Sequence, residues 1–437
     1  MGKQIFKFIF LLIVVFGIGS GIYITVSRDV QEKQEIKQVE DIFNSLQNRE
    51  AEIAKFYTYG DSFNVSGSLN NISKENFENA RLIVTNGQNE HTYDLSTSLE
   101  DKLLIFETPQ INKSVELDKL EVGEYYVLLR VKLNNSANAK YYTFNNISVY
   151  QPIEYYTVTR NGENNKIRLE FLKKELNGKT YNYLALNITK AENVECYDFV
   201  IDSGHGGADS GEKRDGYTEA NITLDYAKDL KVKLEELGLK VKLTRYDENT
   251  STYTSTNMYN DNGRITIAGE SKAKYMLSFH VNNGASGLSG LEIYAPTKSN
   301  LEFAELMARK IVESGANTYS NNNGYKKADG VFVWNFTKKV IDDFRKTAER
   351  KGYEPYNITT DTPYQYTIRE VGGIATNAYA DGRNPSFSAN RFFNSNQGIE
   401  CYQIELGYIK TDLEKMLYNR EAYVNSIRDS IKEYLGL

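Results

Sequence analysis

The sequence predicts an α/β domain with a mostly parallel sheet covered by helices, preceded by an all-β sandwich and an N-terminal transmembrane helix. Three observations lead there: an uncharged apolar run near the start, short β-branched and aromatic runs from about Phe63, and strands alternating with amphipathic helices after Cys196. A chain of 437 residues exceeds one ordinary domain of roughly 100–200 residues, so several folded units are expected. They divide into a membrane anchor or signal segment over 1–28, a helical stalk over 29–58, a β-sandwich over 59–195 and an α/β domain over 196–437. The last carries a long insertion at about 317–398.

The run FIFLLIVVFGIGSGIYITV, from Phe8 to Val26, has no charged residue, and about 20 apolar residues let a helix cross the hydrocarbon core. Lys3 and Lys7 precede it, and the positive-inside tendency keeps them in the cytoplasm and everything after Val26 outside. A cleaved signal peptide is the alternative. No clean small-x-small cleavage site follows, which favours an uncleaved anchor. The expected location is therefore the cell membrane, single-pass with the bulk extracytoplasmic, or secreted if the segment is removed.

QEKQEIKQVEDIF and SLQNREAEIAKFY place apolar residues at irregular helical spacing among Glu and Lys, and this reads as the stalk. From Phe63 the runs FNVSGSL, ARLIVT, LLIFET, EYYVLLRVKL, KIRLEFL and YLALNIT are separated by Asn, Gly and Ser, the pattern of an antiparallel sandwich. His91 opens a further such run, HTYDL, with no second His or Cys nearby, and it reads as a solvated or satisfied histidine. After Cys196 come the buried strand CYDFVID, the amphipathic helix TEANITLDYAKDLKVKLEELG, the strand KVKLTR, the helix NGRITIAGESK and the strands KYMLSF and SGLEIYA. Strands alternating with helices argue for a parallel sheet covered on both faces.

A formal net charge of −6 gives no support to nucleic-acid binding, which calls for a basic patch. Two cysteines, Cys196 and Cys401, exclude a disulfide scaffold and a Cys-rich zinc module. Each starts a predicted strand, so a bridge is conceivable if the strands are neighbours, and buried free thiols are the other reading.

In open α/β sheets ligands gather beyond the carboxyl ends of the strands. His205, in the loop SGHGG after CYDFVID, and His280, closing KYMLSF, fall there. Glu219 opens the helix after the first loop, and Glu405 closes the strand ECYQIE. Two His and one Glu are a standard ligand set of a catalytic zinc, and a single carboxylate leaves the ion positive enough to acidify a bound water. Glu405 is then free to accept that water's proton, and Asp202 is a candidate acceptor behind a ligand imidazole. Each feature also has a bland reading: SGHGG as a tight turn, Glu219 as a helix-start carboxylate, His280 as a buried histidine.

Over FVIDSGHGGADSG, GYTEANITLDYAKDL, VKLTRYDE, GRITIAGESKAKYMLSFHVNN, SGLEIY and QIELGYIKTDLEKM the chain resembles the zinc-dependent N-acetylmuramoyl-L-alanine amidase family of peptidoglycan hydrolases. These segments span nearly all of 197–437. The resemblance implies Zn2+ held by His205, Glu219 and His280, Glu405 as the catalytic glutamate, and peptidoglycan as substrate, cut between N-acetylmuramic acid and L-alanine. Where the family usually has proline, this chain has Ser203. The stretch from His280 to Glu405 is also longer than usual, and Arg369, Glu370, Asn377, Arg383 and Arg391 in it are candidate substrate contacts or plain surface residues. Long loops beside a site are commonly binding loops or lids. Arg264 and Glu292 also recur in the family pattern and read as packing and ion-pairing residues. The expected partners are peptidoglycan, the membrane through the N-terminal helix, and a regulatory protein at the sandwich or the insertion. The rival readings are a zinc peptidase acting on stem peptides and a non-catalytic wall-binding protein.

Overall fold

The structure is a computed structural model that describes residues 40–437 except 61, 109–114, 135, 146–152, 159–161, 177, 251–261, 296–300, 334–335, 353–359 and 361–398. Helix α1 over 40–45 leads into strands β1 (Ala51–Tyr59), β2 (Ser62–Leu69), β3 (Phe77–Thr85), β4 (Glu90–Asp94), β5 (Ser96–Glu100) and β6 (Leu103–Glu107). Then follow β7 (Val115–Glu116), β8 (Gly123–Leu133), β9 (Lys140–Tyr142), β10 (Phe144–Asn145), β11 (Ile153–Val158), β12 (Asn164–Leu176) and β13 (Lys179–Lys190). They form two sheets, ordered β10-β1-β2-β6-β5 with β7 on β2, and β11-β12-β13-β8-β3-β4 with β9 on β8. Apolar side chains of both sheets close one core, including Phe63, Val65, Leu82, Phe106, Val127 and Leu186.

Successive strand residues point to opposite faces. On β8, Tyr125, Val127, Leu129 and Val131 enter that core while Tyr126 and Leu128 face outward, where α1 covers them. Phe43 of α1 is 0% exposed and meets Tyr126, Tyr181 and Tyr183 edge-on at 5.2, 5.3 and 5.6 Å. The stalk expected over 29–58 is thus corrected within the described residues: its helix packs on a sheet, and 51–59 is β1. Ala51 and Ile53 are buried around exposed Glu52, a period of two that suits a strand paired with β2 and not a helix.

The second unit runs β14 (Phe199–Ser203), β15 (Lys213–Arg214), β16 (Tyr217–Thr218), α2 (Glu219–Glu235), β17 (Val241–Leu243), α3 (Arg264–Glu270), β18 (Tyr275–Asn282) and β19 (Glu292–Tyr294). It continues with α4 (Leu301–Glu313), β20 (Lys326–Ala328), β21 (Val331–Phe332), α5 (Lys338–Lys351), β22 (Glu400–Tyr408), α6 (Leu413–Tyr418) and α7 (Arg420–Leu435). The sheet order is β17-β14-β18-β22-β19-β21-β20. Phe199, Ile201, Leu277, Phe279, Ile404 and Leu406 alternate onto one face and pack with α2, α4 and α7. Val200, Met276 and Cys401 face the other way, toward α3 and α5.

One part of the predicted fold class is corrected. The sheet is mixed: β17, β14, β18 and β22 are parallel, but β19 runs antiparallel to β22 and β20 antiparallel to β21. The link from Asn282 to Glu292 is short, whereas a parallel crossover takes a dozen residues or more, so the chain folds straight back. With two further sheets before it, the chain is β-rich. The transmembrane helix falls on residues 1–28, outside the described residues, and among the described residues no helix is long and apolar enough to cross a membrane. Part of the expected insertion is also regular structure, since β20, β21 and α5 extend the sheet and its second core.

The first unit meets the second at the strand starts. Lys240 Nζ donates to the Gly162 carbonyl at 3.2 Å, and Lys272 Nζ stands 4.5 Å from the Tyr156 ring centre. A cavity of about 570 Å³ at this junction is lined by Glu116, Asp118, Lys240, Lys274, Arg309 and Glu433 among others. It lies at the sheet edge opposite the strand ends that carry His280 and Glu405. Cys196 and Cys401 are buried and not bridged to each other: Cys196 precedes β14 and Cys401 lies in β22, and β18 separates those two strands.

Candidate metal centre

β14 ends at Ser203, and the chain then turns sharply. His205 sits at φ 61°, a left-handed conformation uncommon outside glycine, and the turn is closed by Gly206 N to Asp209 O at 2.7 Å and Asp209 N to Gly206 O at 3.1 Å. The returning strand pair β15–β16 delivers Thr218, whose hydroxyl accepts from Asn221 N at 3.2 Å and caps α2. Glu219 therefore enters as the first residue of that helix, facing the His205 loop. Glycine is required at two points of closest approach. A Cβ at Gly211 would stand 2.5 Å from Glu219 Oε2, and one at Gly204 would stand 2.7 Å from His280 Cε1.

Glu219 is 2% exposed. Its Oε1 lies 3.0 Å from His205 Nε2 and 3.2 Å from His280 Nδ1, and it accepts from Val281 N at 2.8 Å; Oε2 accepts from Glu212 N at 3.0 Å. One ligand atom from each of His205, Glu219 and His280 falls within 4.8 Å of the others. Donors held about 2.0–2.2 Å from one ion in a tetrahedron stand about 3.3–3.6 Å apart, so small shifts would seat a divalent metal among these atoms. Two neutral imidazoles and one carboxylate also suit its charge. Burial pushes the Glu219 carboxyl upward, but hydrogen bonds from His205 and His280 outweigh this and hold it far below the usual carboxylate range. For His205 burial pulls downward, and Glu219 and Asp209 together raise it.

His205 Nδ1 lies 2.9 Å from Asp209 Oδ2, and Asp209 Oδ1 accepts from Gly211 N at 3.1 Å. A carboxylate behind a ligand imidazole fixes its tautomer and its aim. Sequence reasoning assigned that place to Asp202, which is a correction. Asp202 is fully buried and accepts from Ser278 Oγ at 2.6 Å, Arg264 Nη1 at 2.7 Å and Thr244 Oγ1 at 2.8 Å, bracing three elements beneath the site. The missed signal was the spacing of His205 and Asp209, which matters only once the glycine turn is formed. Asp209→Asn is expected to weaken divalent-metal binding about 10–100-fold with little change in melting temperature. Competition with a chromophoric chelator measures this, and unaltered affinity removes Asp209 from the role.

Glu405 pairs in register with His280 on β18 and with Glu292 on β19. It is 8% exposed and accepts from Gln403 Nε2 at 2.8 Å. Burial pushes its carboxyl up to about 7; His280 and Gln403 pull downward, and Glu219 and Glu292 push upward. Near neutrality it can therefore hold or release a proton. Glu292 is buried and accepts from Tyr408 Oη at 2.5 Å, Tyr294 Oη at 2.6 Å, Ser320 Oγ at 2.7 Å and Asn282 Nδ2 at 2.9 Å. Arg369, Glu370, Asn377, Arg383 and Arg391 lie outside the described residues.

Ser203 Oγ is buried with no hydrogen-bond partner among the described residues. An unpaired buried hydroxyl costs about 1–3 kcal/mol, so Ser203→Ala is expected to stabilise the chain by about 1 kcal/mol. Denaturant unfolding checks it, and a loss of stability would reveal a hidden partner.

Residues 199–342 match the family model described as N-acetylmuramoyl-L-alanine amidase (Amidase_3); the matched stretch ends before β22 and Glu405. The uncharacterized protein YqiI of Bacillus subtilis (strain 168) is 29% identical over 140 residues, 32% of this chain and 64% of that protein. The N-acetylmuramoyl-L-alanine amidase LytC of the same strain is 31% identical over 130 residues, 29% of this chain and 25% of that protein. The chain thus covers less than two-thirds of either relative. Among solved structures, the amidase AmiC2 of Nostoc punctiforme is 20% identical, covering 55% of this chain and 97% of that one at a TM-score of 0.32. The CwlD amidase from Clostridioides difficile, in complex with the GerS lipoprotein, is 21% identical, covering 55% and 98% at a TM-score of 0.31.

Proposed function

We propose that this chain, which carries an N-acetylmuramoyl-L-alanine amidase family domain over residues 199–342, is a zinc-dependent amidase. Its reaction is hydrolysis of the amide between the lactyl group of N-acetylmuramic acid and the L-alanine of the stem peptide. The observation that carries this reading is the convergence of His205, Glu219 and His280 at one sheet edge inside that domain. Peptidoglycan lies outside the cytoplasmic membrane, so the reading also puts the domain on the extracytoplasmic side.

His205, Glu219 and His280 would hold the ion, and Asp209 would keep the His205 ring turned toward it. A bound Zn2+ supplies an electrophile for the amide carbonyl and lowers the pKa of water beside it. Glu405 takes one proton from the attacking water and passes it to the alanine nitrogen as the C–N bond breaks. The nascent lactyl carboxylic acid then gives the second water proton to the released amine. The products are a lactyl carboxylate on the sugar and an ammonium on the peptide, which accounts for both hydrogens of the one water consumed. Burial lifts the Glu405 carboxyl above the usual carboxylate range, which suits both halves of that transfer, because a proton can then be taken from water and still be given up to the leaving nitrogen.

The test is digestion of purified peptidoglycan by the full chain with Zn2+, with mass analysis of the products. Stem peptides with a new N-terminal alanine and intact glycan strands are expected. Cleavage inside the stem peptide would replace this reading with a zinc peptidase. Zinc uptake without any turnover would leave a wall-binding protein.

A further inference from the structure

Arg245 follows β17 and is 1% exposed. A guanidinium keeps its charge at any working pH, and burying it costs several kcal/mol unless its donors are satisfied. Here Nε donates to Ser203 O at 3.1 Å, Nη2 to Gly204 O at 3.0 Å and Ala220 O at 2.5 Å, and Nη1 to Asp247 O at 3.1 Å. Ser203 and Gly204 immediately precede His205, and Ala220 immediately follows Glu219. Thr223 stands between the same groups: its Oγ1 lies 3.0 Å from Gly204 O and 3.2 Å from Ala220 O, and accepts from Arg245 Nη2 at 3.5 Å. The loop also wraps the arginine stem closely, since a Cβ at Gly206 would stand 2.9 Å from Arg245 Cδ.

Hydrophobic packing could hold β14 against α2, but it has no directional preference at the level of tenths of an ångström. Hydrogen bonds to carbonyls beside both ligands do. We infer that Arg245 and Thr223 form a clamp that sets the separation of His205 and Glu219, and through it the affinity and geometry of the metal site. The inference rests on the proposed metal role of those two residues. Arg245 and Thr223 are positioning residues in this scheme, since each acts through the backbone of a neighbour.

The full chain is compared with Arg245→Lys, Thr223→Val and Tyr226→Phe for Zn2+ affinity by chelator competition, for the visible spectrum of the Co2+ form, and for melting of the metal-free protein. Tyr226 lies one turn after Thr223 on α2, but its hydroxyl donates to Met416 O at 2.7 Å in the core and to none of the clamp's groups. Its variant therefore reports a stability loss on the same helix that leaves the clamp's hydrogen bonds in place. The clamp predicts at least tenfold weaker Zn2+ binding and an altered Co2+ spectrum for Arg245→Lys and Thr223→Val, with Tyr226→Phe lowering only the melting temperature. Wild-type affinity and spectrum in a folded Thr223→Val would overturn it, whether or not Arg245→Lys folds. Weakened binding in Tyr226→Phe equal to that of Thr223→Val would overturn it too, by reducing the effect to general stability. Should the wild type itself take up no metal, the amidase reading fails first and the clamp with it.

Discussion

Glu219→Gln is expected to release the metal and lower amide hydrolysis by at least about 10³-fold, since the cation's contribution of several kcal/mol is lost. Glutamine keeps the size of the side chain and an oxygen for Val281 N, but it removes the carboxylate charge that stands between His205 and His280. With that oxygen kept on Val281 N, the amide nitrogen takes the place of Oε2 and meets Glu212 N, donor against donor, so the hydrogen bond that holds the side chain from the other side is lost as well. Two imidazoles alone form an incomplete ligand set, so the deficit should exceed the about 10–100-fold expected when an outer partner is lost. Metal content after dialysis and turnover of peptidoglycan, measured on the same preparation, read out both effects. A Glu219→Gln protein that keeps stoichiometric Zn2+ and wild-type turnover would remove Glu219 from the site.

The elements of this site differ in how far residues alone reveal them. His205, His280 and Glu405 were legible because near-continuous buried runs mark β14, β18 and β22, and strand direction then puts all three toward the carboxyl end of the sheet. Glu219 was legible through the helix start that Thr218 caps. Asp209 was not, because its approach to His205 depends on a left-handed residue and two turn hydrogen bonds that no periodicity records. Asp202 was misread for a related reason: its partner Arg264 is 62 positions away in sequence, and only the folded sheet brings them together. Strand direction itself was the other weak point. EIY in β19 has no intrinsic polarity, and its antiparallel pairing follows from the length of the preceding link. The clamp was equally hidden, since Arg245 looks like a strand-end surface arginine until its carbonyl partners are seen.

Glu405→Gln is expected to cost about 10²–10⁴-fold in turnover, the usual worth of a general acid–base group, while Zn2+ affinity stays near wild type. Glutamine can still accept from Gln403 but cannot take a proton from water or return one to the leaving amine. The same substitution has a stability signature. Burial raises the Glu405 carboxyl from 4.5 to about 7, so the folded chain binds this proton more tightly than the unfolded chain. That stabilisation is complete below about pH 4.5 and is lost as pH rises through about 7. Metal-free wild type should therefore lose roughly 2–3 kcal/mol between pH 5 and pH 8 from this group alone, and Glu405→Gln, which mimics the neutral form, should not. A divalent ion held by His280, its register partner, would favour the carboxylate and pull the value downward. The acid limb of kcat/KM for the zinc form should then fall at or below about pH 7, and it should disappear in whatever residual activity Glu405→Gln retains. Parallel pH dependences for the two proteins, in both unfolding and kcat/KM, would take the proton-transfer role away from Glu405.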